Sequence, residues 1–103
     1  MKLLTKAILK KLPAIYSQDD KPETEVTAHV RFFDPQGSMT WYATEFDGEN
    51  TFFGLKVNEY TKESWLGYFY LTDLQFRRGR LHLPCERDMW WDKQTIAEIK
   101  SEL

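Results

Sequence analysis

Three stretches of this 103-residue chain carry side chains able to do chemistry. Arg77-Arg78-Gly79-Arg80 places three guanidiniums around a glycine. Such groups are planar and permanently charged, and a cluster of them at a turn suits phosphate or a carboxylate-rich surface. Arg87 extends the cluster, and the pair Trp90-Trp91 adds rings that could stack on bases or anchor a protein partner. Glu45-Phe46-Asp47-Gly48-Glu49 gathers three carboxylates about one turn, the oxygen donors that a hard cation such as Mg²⁺ or Ca²⁺ takes. Their spacing is not that of a calcium loop, and acidic turns are common solubilising features. His82-Leu83-Pro84-Cys85 offers a softer pair, with His29 elsewhere.

Each chemistry makes demands that the chain meets only in part. A structural zinc site needs about four ligands, generally in paired spacings. One cysteine and two histidines supply no second pair, so Cys85 reads as a solitary thiol. His29 and His82 are the only imidazole bases, and no oxyanion arrangement surrounds Cys85 that would make it a nucleophile. A metal-dependent nuclease commonly carries an acid-x-Lys element on the strand after its first acid, whereas Gly54-Leu55-Lys56 lacks the acid. Neither a GxxxxGK[ST] loop nor a GxGxxG turn occurs. The reading therefore assigns no catalytic residue, cofactor or metal. Glu45, Asp47 and Glu49 are kept only as weak cation ligands in a divalent-metal-dependent hydrolase.

Composition sets the frame. One domain spanning 1–103, with one core, suits this length. Small cores lean on large residues, and 16% of the chain is aromatic. The net charge of −2 gives no pull toward polyanions, and neither half is strongly biased. A single cysteine rules out an internal disulfide and fits a reducing compartment. The opening MKLLTKAILKKLP has lysines where a signal peptide needs an unbroken apolar stretch. No apolar run approaches the 18 or so residues of a spanning helix. The expectation is a cytoplasmic protein with neither membrane association nor a targeting signal.

The elements that would hold these residues follow from periodicity. Leu4, Ile8, Leu12 and Ile15 recur at helical spacing, Thr5 suits an N-cap, and Pro13 stops the helix. Ser17 to Glu25 is a connection. Val26, Ala28, Val30 and Phe32 alternate with Thr27, His29 and Arg31, which predicts one strand with a single apolar face. Met39–Phe46, the segment around Phe53, Leu55 and Val57, and Trp65–Leu71 add three more strands, with turns at 34–38 and 47–50. Short connections make these an antiparallel meander. On this alternation Trp41, Ala43 and Phe53 face the core, while Tyr42 and Phe52 point to an undecided second face. Glu45 falls beside Trp41 and Ala43, where it needs a partner such as Arg87 or Lys56. Between residues 73 and 92 a short helix, capped by Thr72 or Asp73, or an edge strand is expected. Thr95 and Glu98 form a capping box before the stripe Ile96, Ile99 and Leu103. The fold class is α+β, an antiparallel meander of about four strands packed with N- and C-terminal helices.

Nearly the whole chain resembles a family of small bacterial proteins known only as a domain of unknown function. The likeness runs through LLTKAILKKLPAIYSQD, FFDPQGSMTWYATEFDGENTFFGLKV, LGYFYLTDLQFRRGRLHLPCERD and the terminal helix. Members are often encoded on plasmids and other mobile elements, so the resemblance implies a role in mobile-element biology. It brings no catalytic residues.

The function expected from the residues is a non-catalytic interaction module whose partner is another protein. Its binding residues are drawn from Arg77, Arg78, Arg80, Arg87, Trp90, Trp91 and Tyr42. Nucleic-acid binding through the arginine cluster is the alternative. The mixed exposed face of Thr27, His29, Arg31, Tyr42 and Lys56 weighs against it.

Overall fold

The computed structural model describes residues 2–103. In chain order the elements are α1 (Lys6–Lys11), β1 (Thr27–Ala28), β2 (Val30–Phe33), β3 (Met39–Phe46), β4 (Thr51–Asn58), β5 (Ser64–Tyr70), α2 (Leu71–Phe76), β6 (Glu86–Arg87), β7 (Gln94–Thr95) and α3 (Ile96–Ser101). Five antiparallel strands form the main sheet in the order β5-β4-β3-β2-β6, and β1 pairs with β7 in a two-stranded ribbon. The α+β meander stands, β6 is the short edge strand expected between residues 73 and 92, and the β1–β7 ribbon is the addition the sequence pattern does not predict.

The central strands β3 and β4 bury residues on both faces because apolar residues of both parities find a cover. On one face Phe52 sits fully buried between Phe46 and Phe69, with ring centroids at 4.4 and 5.1 Å, and Phe32 meets it edge-on at 5.4 Å. Val30, Trp41, Ala43, Leu74 and Cys85 complete this cluster, and Leu4, Ile8 and Leu12 pack against it. On the other face Tyr42, Leu55 and Val57 are covered by Ile96 and Ile99 of α3, together with Trp91 and Leu103. Phe52 is thus the centre of a core, while Phe53 is only half-buried. Tyr42, a binding candidate on the face the sequence left undecided, is 8% exposed because α3 and Trp91 close that side.

Two irregularities move residues between the faces. The strand predicted over 26–32 breaks at His29, whose N–H still donates to the Ala43 carbonyl at 2.9 Å. The extra residue puts Ala28 in the second cluster while Val30 and Phe32 enter the first. In β3 the register with β4 shifts between Ala43 and Glu45, so Ala43 pairs with Gly54 and Glu45 with Phe53. Side chains alternate with a period of two, so a one-residue bulge at Thr44 reverses every face assignment after it. Glu45 lands opposite Phe53, away from Trp41, and Phe46 turns into the aromatic cluster. Gly54 is required here, because a Cβ would fall on the Tyr42 carbonyl.

The short helices draw on distant parts of the chain as well as their own sequence. Thr5 caps α1 by accepting from the Ile8 N–H at 3.3 Å, as expected. Thr95 and Glu98 form the full capping box of α3. The α2 helix starts directly after β5, and neither Thr72 nor Asp73 is its N-cap. Asn50, in the β3–β4 turn, takes that role: its carbonyl accepts from the Leu71 N–H at 2.8 Å and its side-chain oxygen from the Thr72 N–H at 2.9 Å. Among the described residues, no helix is long and apolar enough to cross a membrane.

Candidate functional site

The three arginines of the 77–80 stretch do not converge. Arg77 lies 5.4 Å from the Trp41 ring centroid, and its Nε donates to Asp34 Oδ2 at 3.1 Å. Asp34 is buried and also accepts the Gln36 N–H through Oδ1, so Arg77 neutralises a charge that the fold needs covered. Arg78 turns back on its own helix end, donating from Nη1 to the carbonyls of Gln75 at 2.7 Å and Arg77 at 2.8 Å. It borders an open cleft of about 600 Å³ together with Lys2, Leu3, Leu71 and Cys85. Arg80 is exposed, and Arg87 donates to the Lys2 carbonyl at 2.6 Å. The loop bearing Arg80 is held by Gln36, whose side chain accepts from the Leu81 N–H and donates to the Leu83 carbonyl. Sequence reasoning treated 34–38 only as a turn and missed both Asp34 and Gln36. The one available signal was an aspartate and an amide in the same turn.

The carboxylates of 45–49 do not converge either. Glu45 is 2% exposed, and its Oε1 and Oε2 accept the backbone N–H groups of Tyr16 at 3.0 Å and Gln18 at 2.9 Å. Its partners are therefore main-chain donors of the 13–18 segment, and not the side chains of Arg87 or Lys56. Asp47 Oδ1 accepts from the N–H groups of Glu49, Asn50 and Thr51 at 2.8 to 3.0 Å, and these bonds hold its carboxyl below the ordinary aspartate value. Among the described residues no three His, Cys, Asp or Glu side chains come together as metal ligands. Cys85 is buried, and its thiol is pushed up to about 11, first by burial and then by the Asp34 charge. A thiol held protonated at neutral pH is a poor nucleophile.

The remaining candidates, Trp90 and Trp91, separate sharply. Trp91 packs on Tyr42 with ring centroids 5.5 Å apart, and its Nε1 donates to Gln94 Oε1 at 3.3 Å. Trp90 is 93% exposed, beside Met89 at 60%. The turn that carries them is tied down on both sides. Arg31 Nη1 pairs with Asp88 Oδ2 at 2.9 Å, the Asp88 N–H donates to the Arg31 carbonyl at 2.9 Å, and Asp88 Oδ1 accepts the Trp90 N–H at 3.0 Å. Behind the turn a cleft of about 350 Å³ opens, lined by Ile8, Lys11, His29, Arg87, Met89 and Trp91. Burial first, then Lys93 and Lys11, lower the His29 pKa, which favours its neutral imidazole.

Fold and surface define a small α+β domain: a two-faced antiparallel sheet that presents an exposed tryptophan on a braced turn. The family described as Protein of unknown function (DUF2958) matches residues 3–99, and the chain belongs to it. No curated protein and no solved structure matches the chain.

Proposed function

We propose that this domain is a non-catalytic interaction module that binds another protein through the Met89-Trp90 turn. One observation carries the reading: Trp90 is almost fully exposed on a turn whose Asp88 is paired with Arg31 and whose Trp91 packs on Tyr42. An exposed tryptophan gains nothing for folding, whereas buried in a partner it is the kind of residue that dominates binding energy. Because the turn is braced, little conformational freedom is lost on docking. The cleft lined by Met89 and Trp91 provides a place for a partner side chain beside the same turn. A cytoplasmic setting and a role in mobile-element biology belong to the same proposal.

Nucleic-acid binding finds less support in the geometry, since Arg77 is committed to Asp34 and Arg78 to backbone carbonyls. The test is affinity capture from the native host with the wild type and with Trp90→Ala. Loss of at least 2 kcal/mol of binding, roughly 30-fold, is expected at unchanged thermal stability. Capture of the same partners by both proteins would overturn the reading. So would a salt-sensitive nucleic-acid mobility shift abolished by Arg78→Ala and Arg80→Ala.

A further inference from the structure

The main sheet ends on one side in the two-residue β6 and on the other in the seven-residue β5. Along its inner side β5 pairs with β4 without interruption from Ser64 to Tyr70. Among the described residues no strand lies beside its outer side in the sheet. An edge of this kind invites another strand, and natural edges are normally blunted by charge, proline, bulges or brevity. The sequence Ser-Trp-Leu-Gly-Tyr-Phe-Tyr has no charged residue and no proline, and its ladder with β4 has no bulge. Trp65, Leu66, Tyr68 and Tyr70 are each 41 to 45% exposed.

We propose that the β5 edge pairs antiparallel with the β5 edge of a second copy of this chain, giving a weak two-fold dimer with one continuous ten-stranded sheet. The choice of a second copy rests on self-complementarity. A two-fold axis normal to the sheet keeps each face in register, so residues of like parity meet. With the axis at Gly67, Leu66 meets Tyr68 of the other copy on the face of Leu55, where Tyr68 already packs edge-on against Phe53 at 5.2 Å. On the opposite face Trp65 meets Phe69 of the other copy, at the end of the Phe46–Phe52–Phe69 stack. A strand without charge offers no recognition for a charged partner segment, while it fits a copy of itself.

The same surface limits the strength. Side chains of this size, about two-fifths exposed, supply on the order of 400 Å² per protomer, about half of what a stable specific interface buries on each side. Lys56 adds a brake. It lies across Gly67 and donates to the Tyr68 carbonyl at 3.0 Å, so pairing brings two ammoniums to the same edge. The dimer is therefore concentration-dependent, with a Kd on the order of 100 μM that falls as salt screens the lysines.

Sedimentation equilibrium from about 5 μM to about 1 mM brackets that Kd and tests the proposal. Reversible dimerisation is expected for the wild type. Leu66→Lys and Tyr70→Lys, both at exposed positions, are expected to raise the Kd at least tenfold, with unchanged far-ultraviolet circular dichroism. Trp90→Ala is expected to dimerise like the wild type, which separates this edge from the partner surface proposed above. In the wild type, hydrogen exchange at residues 64–70 should slow as concentration rises. A monomer at every concentration overturns the proposal. Association indifferent to both lysine variants, or abolished by Trp90→Ala, overturns it equally.

Discussion

Glu45 Oε1 accepts the Tyr16 backbone N–H at 3.0 Å across a separation of 29 residues. With the Gln18 N–H on Oε2 and the Phe46 N–H on the Pro13 carbonyl, this one carboxylate fastens the N-terminal segment to the end of β3. A buried acid with two main-chain donors is satisfied without any counter-charge. Glu45→Gln keeps one acceptor and turns an NH₂ toward the other donor. The expected loss is about 1–3 kcal/mol of folding stability, read by urea denaturation. Unchanged stability would show that the bonds are not held in solution.

Arg77 and Arg80 should respond oppositely to alanine, although they lie three positions apart. Arg77→Ala leaves the Asp34 carboxylate buried with the Gln36 N–H but without its cation, and it uncovers Trp41. The expected cost is about 1–3 kcal/mol, reduced from a fully buried pair because the Arg77 side chain is 46% exposed. Arg80→Ala should fall within about 0.5 kcal/mol of the wild type. Thermal melts of the two variants check the difference.

Acid should weaken the fold through Asp47 and Glu98. Both pKa values are lowered, by backbone N–H bonds from Glu49, Thr51 and Asn50 to Asp47 and from Thr95 to Glu98. Since the folded values lie below the unfolded ones, their contribution is present above the ordinary carboxyl range and disappears as pH falls through the lowered values. Asp47→Asn keeps an acceptor for the turn and removes the titration. Its melting temperature should drop less than that of the wild type between about pH 5 and pH 2. Parallel acid profiles would refute this.

Cys85 should resist alkylation in the folded protein. With its pKa near 11, only about a thousandth of the thiol is ionised at pH 8, and it is also buried. Iodoacetamide at pH 8 is expected to leave it unmodified for hours by mass spectrometry, then label it fully in denaturant. Rapid labelling of the native protein would mean that the thiol is accessible.

Several features were legible in the sequence because their causes are local. Thr5 and the Thr95–Glu98 pair cap helices within three residues of themselves, and Pro13 ends α1 for steric reasons internal to the chain. The antiparallel meander follows from alternation between turns at 34–38 and 47–50. The candidate site was legible as a set of residue types, since exposed tryptophan and arginine stand out in any list. Which of them are free was not legible: Trp90 and Trp91 are adjacent, yet only one meets Tyr42.

The tertiary structure decided whatever depended on a partner far along the chain or on an inserted residue. A bulge at Thr44 has no strong residue signature, yet with a side-chain period of two it moves Glu45 to the opposite face and sends Phe46 into the core. Asn50 caps α2 from 22 residues away, a bond invisible to any local pattern. Arg77 was read as a ligand-binding charge because its cover, Asp34, lies 43 residues upstream. Local hydrogen-bond geometry and steric exclusion are written into neighbouring residues. Register, face and charge partnership arise only when distant segments compete for the same donors and the same buried space.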